Sequence, residues 1–116
     1  MFELAGAIVA RYYRRPLTLT VVARALSTSP RQLQRVYRVL GDTTFSEELS
    51  RVRMRAAAQL LREQPSIPVA DVGRLVGYQH RSHFAKAFHR RYGVSPARFR
   101  EASRVRRRAD GPLVRS

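Results

Sequence analysis

The chain has 116 residues, enough for one domain or for two very small ones. Lys and Arg number 23 against 8 Asp and Glu, a formal charge of +15, and 44% of the residues are hydrophobic. That is too apolar for a disordered polycation and too basic for indifference to polyanions. No cysteine is present, which excludes disulfides, thiolate metal sites and a thiol nucleophile. With no signal-like stretch and no apolar run of membrane length, the expected location is cytoplasmic, with no membrane partner.

All the basic residues but Lys86 are arginine. Coding bias accounts for Arg over Lys, but not for a threefold excess of base over acid. The planar guanidinium fork suits phosphate and guanine, which favours a nucleic acid as the partner.

Prolines and glycines punctuate stretches of helical period, and no stretch alternates long enough for a strand. Seven helices are expected, over 3–14, 19–26, 30–40, 45–63, 69–76, 82–92 and 96–102. Ser29-Pro30 and Ser95-Pro96 each place a capping hydroxyl before a proline at the first helical position. Thr44 to Glu47 fits a capping box, with hydroxyl and carboxylate each holding a backbone amide. Gly41 and Gly93 stand where a left-handed residue ends a helix. The segment from Phe45 to Glu63 carries Phe45, Leu49, Val52, Ala56 and Leu60 on one row, with Ala57 and Leu61 beside it. It predicts a stiff amphipathic helix of roughly 28 Å.

An internal repeat organises the chain. Leu19 to Thr28 matches Val69 to Tyr78 at an offset of 50 residues, and Leu33 to Tyr37 matches Phe84 to Phe88 at 51. Each copy predicts a helix-turn-helix. In the first, Val22, Ala23 and Leu26 face Leu33, Val36, Tyr37 and Leu40, and Arg31, Gln34, Arg35 and Arg38 form the outer row. In the second, Val72 and Val76 face Phe84, Ala87 and Phe88, and Arg81, Ser82, Ala85, Lys86 and His89 lie outside. A helix with such a row fits the major groove, where Arg reads guanine and Gln adenine. The expected organisation is a first helix-turn-helix subdomain over 1–43, a linker helix over 44–64 and a second subdomain over 65–102. Residues 103–116 form a basic tail, expected to be disordered and broken at Asp110-Gly111-Pro112. Phosphate contact and a mere solvated charge run are both open for that tail.

These residues resemble the AraC/XylS family of bacterial transcription regulators. The resemblance covers about residues 4–102. It rests most on Gly77-Tyr78, Ser82, Phe84, Ala87-Phe88, Gly93, Ser95-Pro96 and Phe99-Arg100, and in the first half on Leu33-Gln34-Arg35, Leu49, Arg53, Ala57 and Leu61. It implies an all-α domain with two helix-turn-helix units joined by a long helix. It also implies binding to double-stranded promoter DNA and activation through RNA polymerase. The base-reading positions fall on Arg31, Gln34 and Arg35, and on Arg81, Ser82 and Lys86. Ser29, Arg38, His83, His89 and Ser95 are candidates for the DNA backbone. Two positions depart from the family pattern. Gly73 replaces the usual Ala, at a cost of roughly 1 kcal/mol in helix propensity. Lys86 stands where Arg is common, which suits one hydrogen bond or a phosphate better than a two-pronged base contact. Most members carry a further domain, so this chain is expected to be a short stand-alone form or a fragment.

The expected mechanism is one monomer laying two recognition helices into adjacent major-groove segments about 34 Å apart. No cofactor is expected. His80 and His83 lack the carboxylate or thiolate partners of a metal site, and no catalytic constellation or phosphate-binding glycine loop is present. The alternative function is a sequence-independent, architectural nucleic-acid binder.

Overall fold

The computed structural model describes the backbone of residues 1–115 and the side chains of residues 1–108. Its regular elements are seven helices: α1 (Phe2–Tyr12), α2 (Leu19–Ala25), α3 (Pro30–Gly41), α4 (Phe45–Glu63), α5 (Val69–Leu75), α6 (Arg81–Tyr92) and α7 (Pro96–Arg115). No strand occurs among the described residues. Packing divides the chain within α4, between Arg53 and Met54.

In the first unit Ala5 and Val9 of α1, Val22 and Ala23 of α2, Leu33 and Tyr37 of α3, and Phe45 and Leu49 of α4 form the core. The Tyr37 ring takes Phe2 edge-on at 5.1 Å and Phe45 at 5.9 Å. Its hydroxyl is buried with no partner in full hydrogen-bond geometry, although the Glu48 carboxylate is close enough to interact with it. Burial, and then the negative charge of Glu48, holds that phenol protonated well above its ordinary range. Leu40, expected on the inner face, is 68% exposed. Its counterpart in the second copy is Arg91, so the repeat does not require an apolar residue at this position.

In the second unit the core is formed by Met54, Ala57, Ala58 and Leu61 of α4, Val72 and Val76, and Phe84 and Phe88 of α6, with Gly73 and Pro96 also buried. Ala56 and Leu60, expected in the leading row of α4, are only half-buried. An apolar sequence pattern marks a broad stripe, and the neighbouring helices decide which edge of it is covered. Four rings continue the core: Phe88 lies 6.0 Å from Phe84, 4.7 Å from Tyr92 and 5.3 Å from Phe99.

The repeat is reproduced hydrogen bond by hydrogen bond. The amide of Thr28 donates to the carbonyl of Ala23 and that of Ser27 to Arg24; at an offset of 50, Tyr78 donates to Gly73 and Gly77 to Arg74. This is the two-bond closure of a helix ended by a left-handed residue. That residue is Ser27 in one copy and Gly77 in the other, with φ of 55° and 108°. The second helix of each repeat, α3 and α6, ends alike, on Asp42 (φ 49°) and Gly93 (φ 77°). Asp42 replaces the expected Gly41 as the left-handed residue, a conformation that Asp tolerates better than most side chains. Gly41 instead closes α3 where a Cβ would stand 2.6 Å from the Phe2 ring.

The two copies trade volume at the crossing of their helices. Where the first has Ala23 and Leu33, the second has Gly73 and Phe84. A Cβ on Gly73 would lie 2.8 Å from Cδ2 and 2.9 Å from Cγ of Phe84. The glycine thus accommodates the larger ring, which accounts for its departure from the usual Ala. Gly73→Ala should destabilise the protein by roughly 1–3 kcal/mol despite its better helix propensity. Adding Phe84→Leu should recover most of the loss in urea unfolding, whereas two independent losses would mean that the ring and the glycine are uncoupled.

Side-chain caps start several helices as expected. The hydroxyls of Ser29, Thr44 and Ser95 accept the amides of Gln32, Glu47 and Arg98 at 3.1, 3.1 and 3.2 Å. The carboxylate of Glu47 accepts from the Thr43 hydroxyl at 3.0 Å, so Thr43 is the partner seen for it where the capping box would use the Thr44 amide. The largest difference is α7. The sequence predicts an end near 102 with a disordered tail beyond, yet the backbone stays helical to Arg115; Ser116, the last residue of that tail, lies outside the described residues. From Ser103 to Arg108 the sequence holds no glycine or proline and four good helix formers.

Candidate nucleic-acid interface

On α3 the inner face is set by Leu33 and Tyr37, both fully buried. Helical spacing then puts Arg31, Gln34, Arg35 and Arg38 on the opposite side as one row at i, i+3, i+4 and i+7. All four are exposed, so the three guanidinium forks are open to an external partner.

On α6 the buried pair is Phe84 and Phe88, and Ser82, Ala85, Lys86 and His89 make the equivalent row. Ser82, Lys86 and His89 are exposed and Ala85 is half-buried. Lys86 and His89 share a shallow groove with Ala85, Arg90 and Ser95, so three predicted residues from α6 and the start of α7 meet there. Arg90 is absent from the sequence-predicted set; its position four residues after Lys86 is the signal that could have found it. Arg81 sits at the first turn of α6, beside Arg74, Gln79 and His80 around a small hollow at the turn. His83 points away from the row by helical spacing. Its ring lies edge-on to His80 at 5.0 Å, so it stands at the flank of that row. Ser29 and Ser95 have their oxygens committed to capping amides, which leaves each hydroxyl hydrogen able to donate.

Two further arginines hold this scaffold. Arg53 Nε donates to the carbonyl of Tyr13 at 2.8 Å and its Nη2 to that of Arg15 at 2.9 Å, gripping the end of α1. In the second unit Arg100 does the same for the end of α4, donating to Leu61 at 3.3 Å and Gln64 at 3.4 Å. The family resemblance singles out both residues without giving them a role. Their partners are backbone carbonyls 36 to 40 residues away, and such partners leave no side-chain signature. No group of three or more potential metal-ligating side chains occurs among the described residues. No helix there is long and apolar enough to cross a membrane.

A family profile described as a helix-turn-helix domain matches residues 22–102, across both copies and the helix between them. The chain belongs to the AraC family. It is 33% identical over 89 residues to the HTH-type transcriptional regulator GlxA of Rhizobium meliloti (strain 1021), covering 77% of this chain and 27% of that protein. This AraC-type chain spans about a quarter to a third of the length of the first curated relatives it matches. Among solved structures, it superposes on the C-terminal domain of AraT, a response regulator from Geobacillus stearothermophilus. The TM-score is 0.81 at 32% identity, over 87% of this chain and 84% of that one. The fold is also that of the DNA-binding domain of AdpA, solved in complex with a target DNA: TM-score 0.85 at 24% identity, over 91% and 95% of the two chains.

Proposed function

We propose that this chain is a sequence-specific DNA-binding transcription regulator, an activator that reads two adjacent major-groove segments of promoter DNA as a monomer. The observation that carries the proposal is the duplicated unit. Two copies share the same turn hydrogen bonds, and each carries an exposed polar row on a chain of charge +15. Membership of the AraC family supports the same assignment.

In this proposal Arg31 and Arg35 offer forks to guanine O6 and N7, Gln34 pairs with adenine, and Arg81, Ser82 and Lys86 read the second segment. Arg38, His83, His89 and the capped helix starts at Ser29 and Ser95 hold phosphates. Successive major-groove segments on one face of the duplex are about 34 Å apart, and α4 is about 28 Å long at 1.5 Å per residue. The site then covers about two turns, and any bend needed to engage both helices costs of order 1–6 kcal/mol. RNA polymerase is the further partner proposed, and the cytoplasmic nucleoid the location.

Selection of bound sequences from a random DNA pool, with footprinting of the winner, tests the proposal. The expected result is an asymmetric site of about two turns, preferred over unrelated duplex by roughly 10³ or more. Flat affinity without a footprint would leave a sequence-independent architectural binder. On the selected site, Arg35→Ala should cost ~1–3 kcal/mol and relax preference at one base pair. An unchanged preference would remove Arg35 from the reading row.

A further inference from the structure

The family match ends at residue 102, and the packing that holds α7 ends one residue later, at Ser103. Pro96 is buried and Phe99, Arg100 and Ser103 are half-buried, the seam by which α7 docks. The next positions on that seam, three and four residues after Ser103, are Arg106 and Arg107. An apolar seam that continues as two arginines has nothing to bury, and every side chain from Arg104 to Arg108 is exposed. The helix nonetheless runs on to Arg115.

This stretch presents Arg104, Arg107 and Arg108 at i, i+3 and i+4, with Arg106 about 100° round the helix from Arg107. The acid seen near them is Glu101, 4.0 Å from Arg104 with both side chains more than half exposed. Such a contact does little against solvent and salt. Like charges three and four apart on a helix repel one another. Among the described side chains, 104–108 have neither a buried face nor a strong ion pair, and such a helix surface is stabilised by an external array of negative charge lying along it.

We propose that residues 103–108, the first part of the α7 extension, are a sequence-blind phosphate grip that adds duplex-backbone contacts to those of the two reading helices. The inference rests on the DNA-binding function proposed above. It assigns a separate job to residues beyond the matched domain. Guanidinium groups at a solvated helix surface meet phosphate oxygens without a base-edge geometry to satisfy, so the contribution is the same for every duplex. The grip raises the local concentration of the regulator on DNA and leaves choice of site to α3 and α6.

The test compares the full chain with one carrying Arg104→Ala, Arg106→Ala, Arg107→Ala and Arg108→Ala. Alanine keeps the helix propensity, and these side chains are exposed, with only the loose Arg104–Glu101 contact to lose, so the melting temperature should change little. Two labelled 30-bp duplexes serve as probes, one of arbitrary sequence and one from the selection experiment, titrated from 50 to 200 mM KCl. The variant should bind both about 10- to 1,000-fold more weakly at 0.15 M salt. The slope of log affinity against log salt should fall by about 0.9 for each phosphate that is no longer neutralised. The ratio between the duplexes should stay the same, and an all-lysine variant should restore binding. Equal affinity and slope for variant and wild type would overturn the grip while leaving the reading helices intact. So would a loss confined to the selected duplex, or tighter capture by phosphatidylglycerol vesicles than by DNA. Absence of salt-dependent duplex binding in the wild-type chain would overturn the DNA-binding function itself.

Discussion

Phe88→Ala is expected to destabilise the protein by about 3–5 kcal/mol, more than any other single substitution proposed for it. Phe88 is fully buried, and its ring touches three others: Phe84 on its own helix, Tyr92 one turn on, and Phe99 of α7. Truncation removes the transfer energy of the ring and leaves a void that three aromatic neighbours cannot all collapse into. The row formed by Ser82, Lys86 and His89 is on the other side of the same helix, so loss of backing loosens that row as well. Urea unfolding followed by circular dichroism measures the first effect, and affinity for the selected duplex the second. Phe88→Leu should retain more than half of the stability. A loss below about 1 kcal/mol for the alanine variant would mean that the four rings are not the organising cluster of the second unit.

Arg53→Ala is expected to cost about 2–4 kcal/mol. The last carbonyls of a helix have no partner within it, and Arg53 supplies one guanidinium to two carbonyls at the end of α1, at 2.8 and 2.9 Å. Hydrogen bonds from a charged donor are worth about 1.5–3 kcal/mol each, and their loss takes the side-chain partner from the partly buried Tyr13 carbonyl, while the exposed Arg15 carbonyl keeps the Leu17 amide. Arg53→Lys should recover less than half, because an ammonium on a flexible stem cannot reproduce the two-pronged geometry. Equal stability for the lysine and arginine forms in urea unfolding would reduce the contact to a matter of charge.

The helices and the exposed rows are legible in the sequence because both follow from local rules. Caps at Ser29, Thr44 and Ser95 and the regular apolar spacing fix helix starts without reference to the rest of the chain. The repeat doubles the signal, although Leu40 reads as an inner residue by spacing and only its counterpart Arg91 argues for the exposed place it takes. What escapes depends on groups distant in sequence. Met54 and Ala58 are buried by the helices that happen to cover that edge of α4, and Arg53 and Arg100 bond to carbonyls, which every residue has. Gly41 is legible as a special position but for a different reason, since the demand comes from the Phe2 ring and not from its own dihedral. The length of α7 escapes a reading that weighs Asp110-Gly111-Pro112 above the uninterrupted run of helix formers before it.

The exchange of volume between Ala23 with Leu33 and Gly73 with Phe84 limits how DNA preference can be re-engineered in this chain. Grafting α6 whole into the first unit would drive a phenyl ring into the methyl of Ala23, and the reverse graft would leave a hollow beside Gly73. Each recognition helix is therefore matched to its own supporting helix, as a key is to one lock. Helix pairs moved as cassettes keep that match, and under the proposed reading specificity is altered at the exposed residues Arg31, Gln34, Arg35, Ser82 and Lys86 without disturbing the interior.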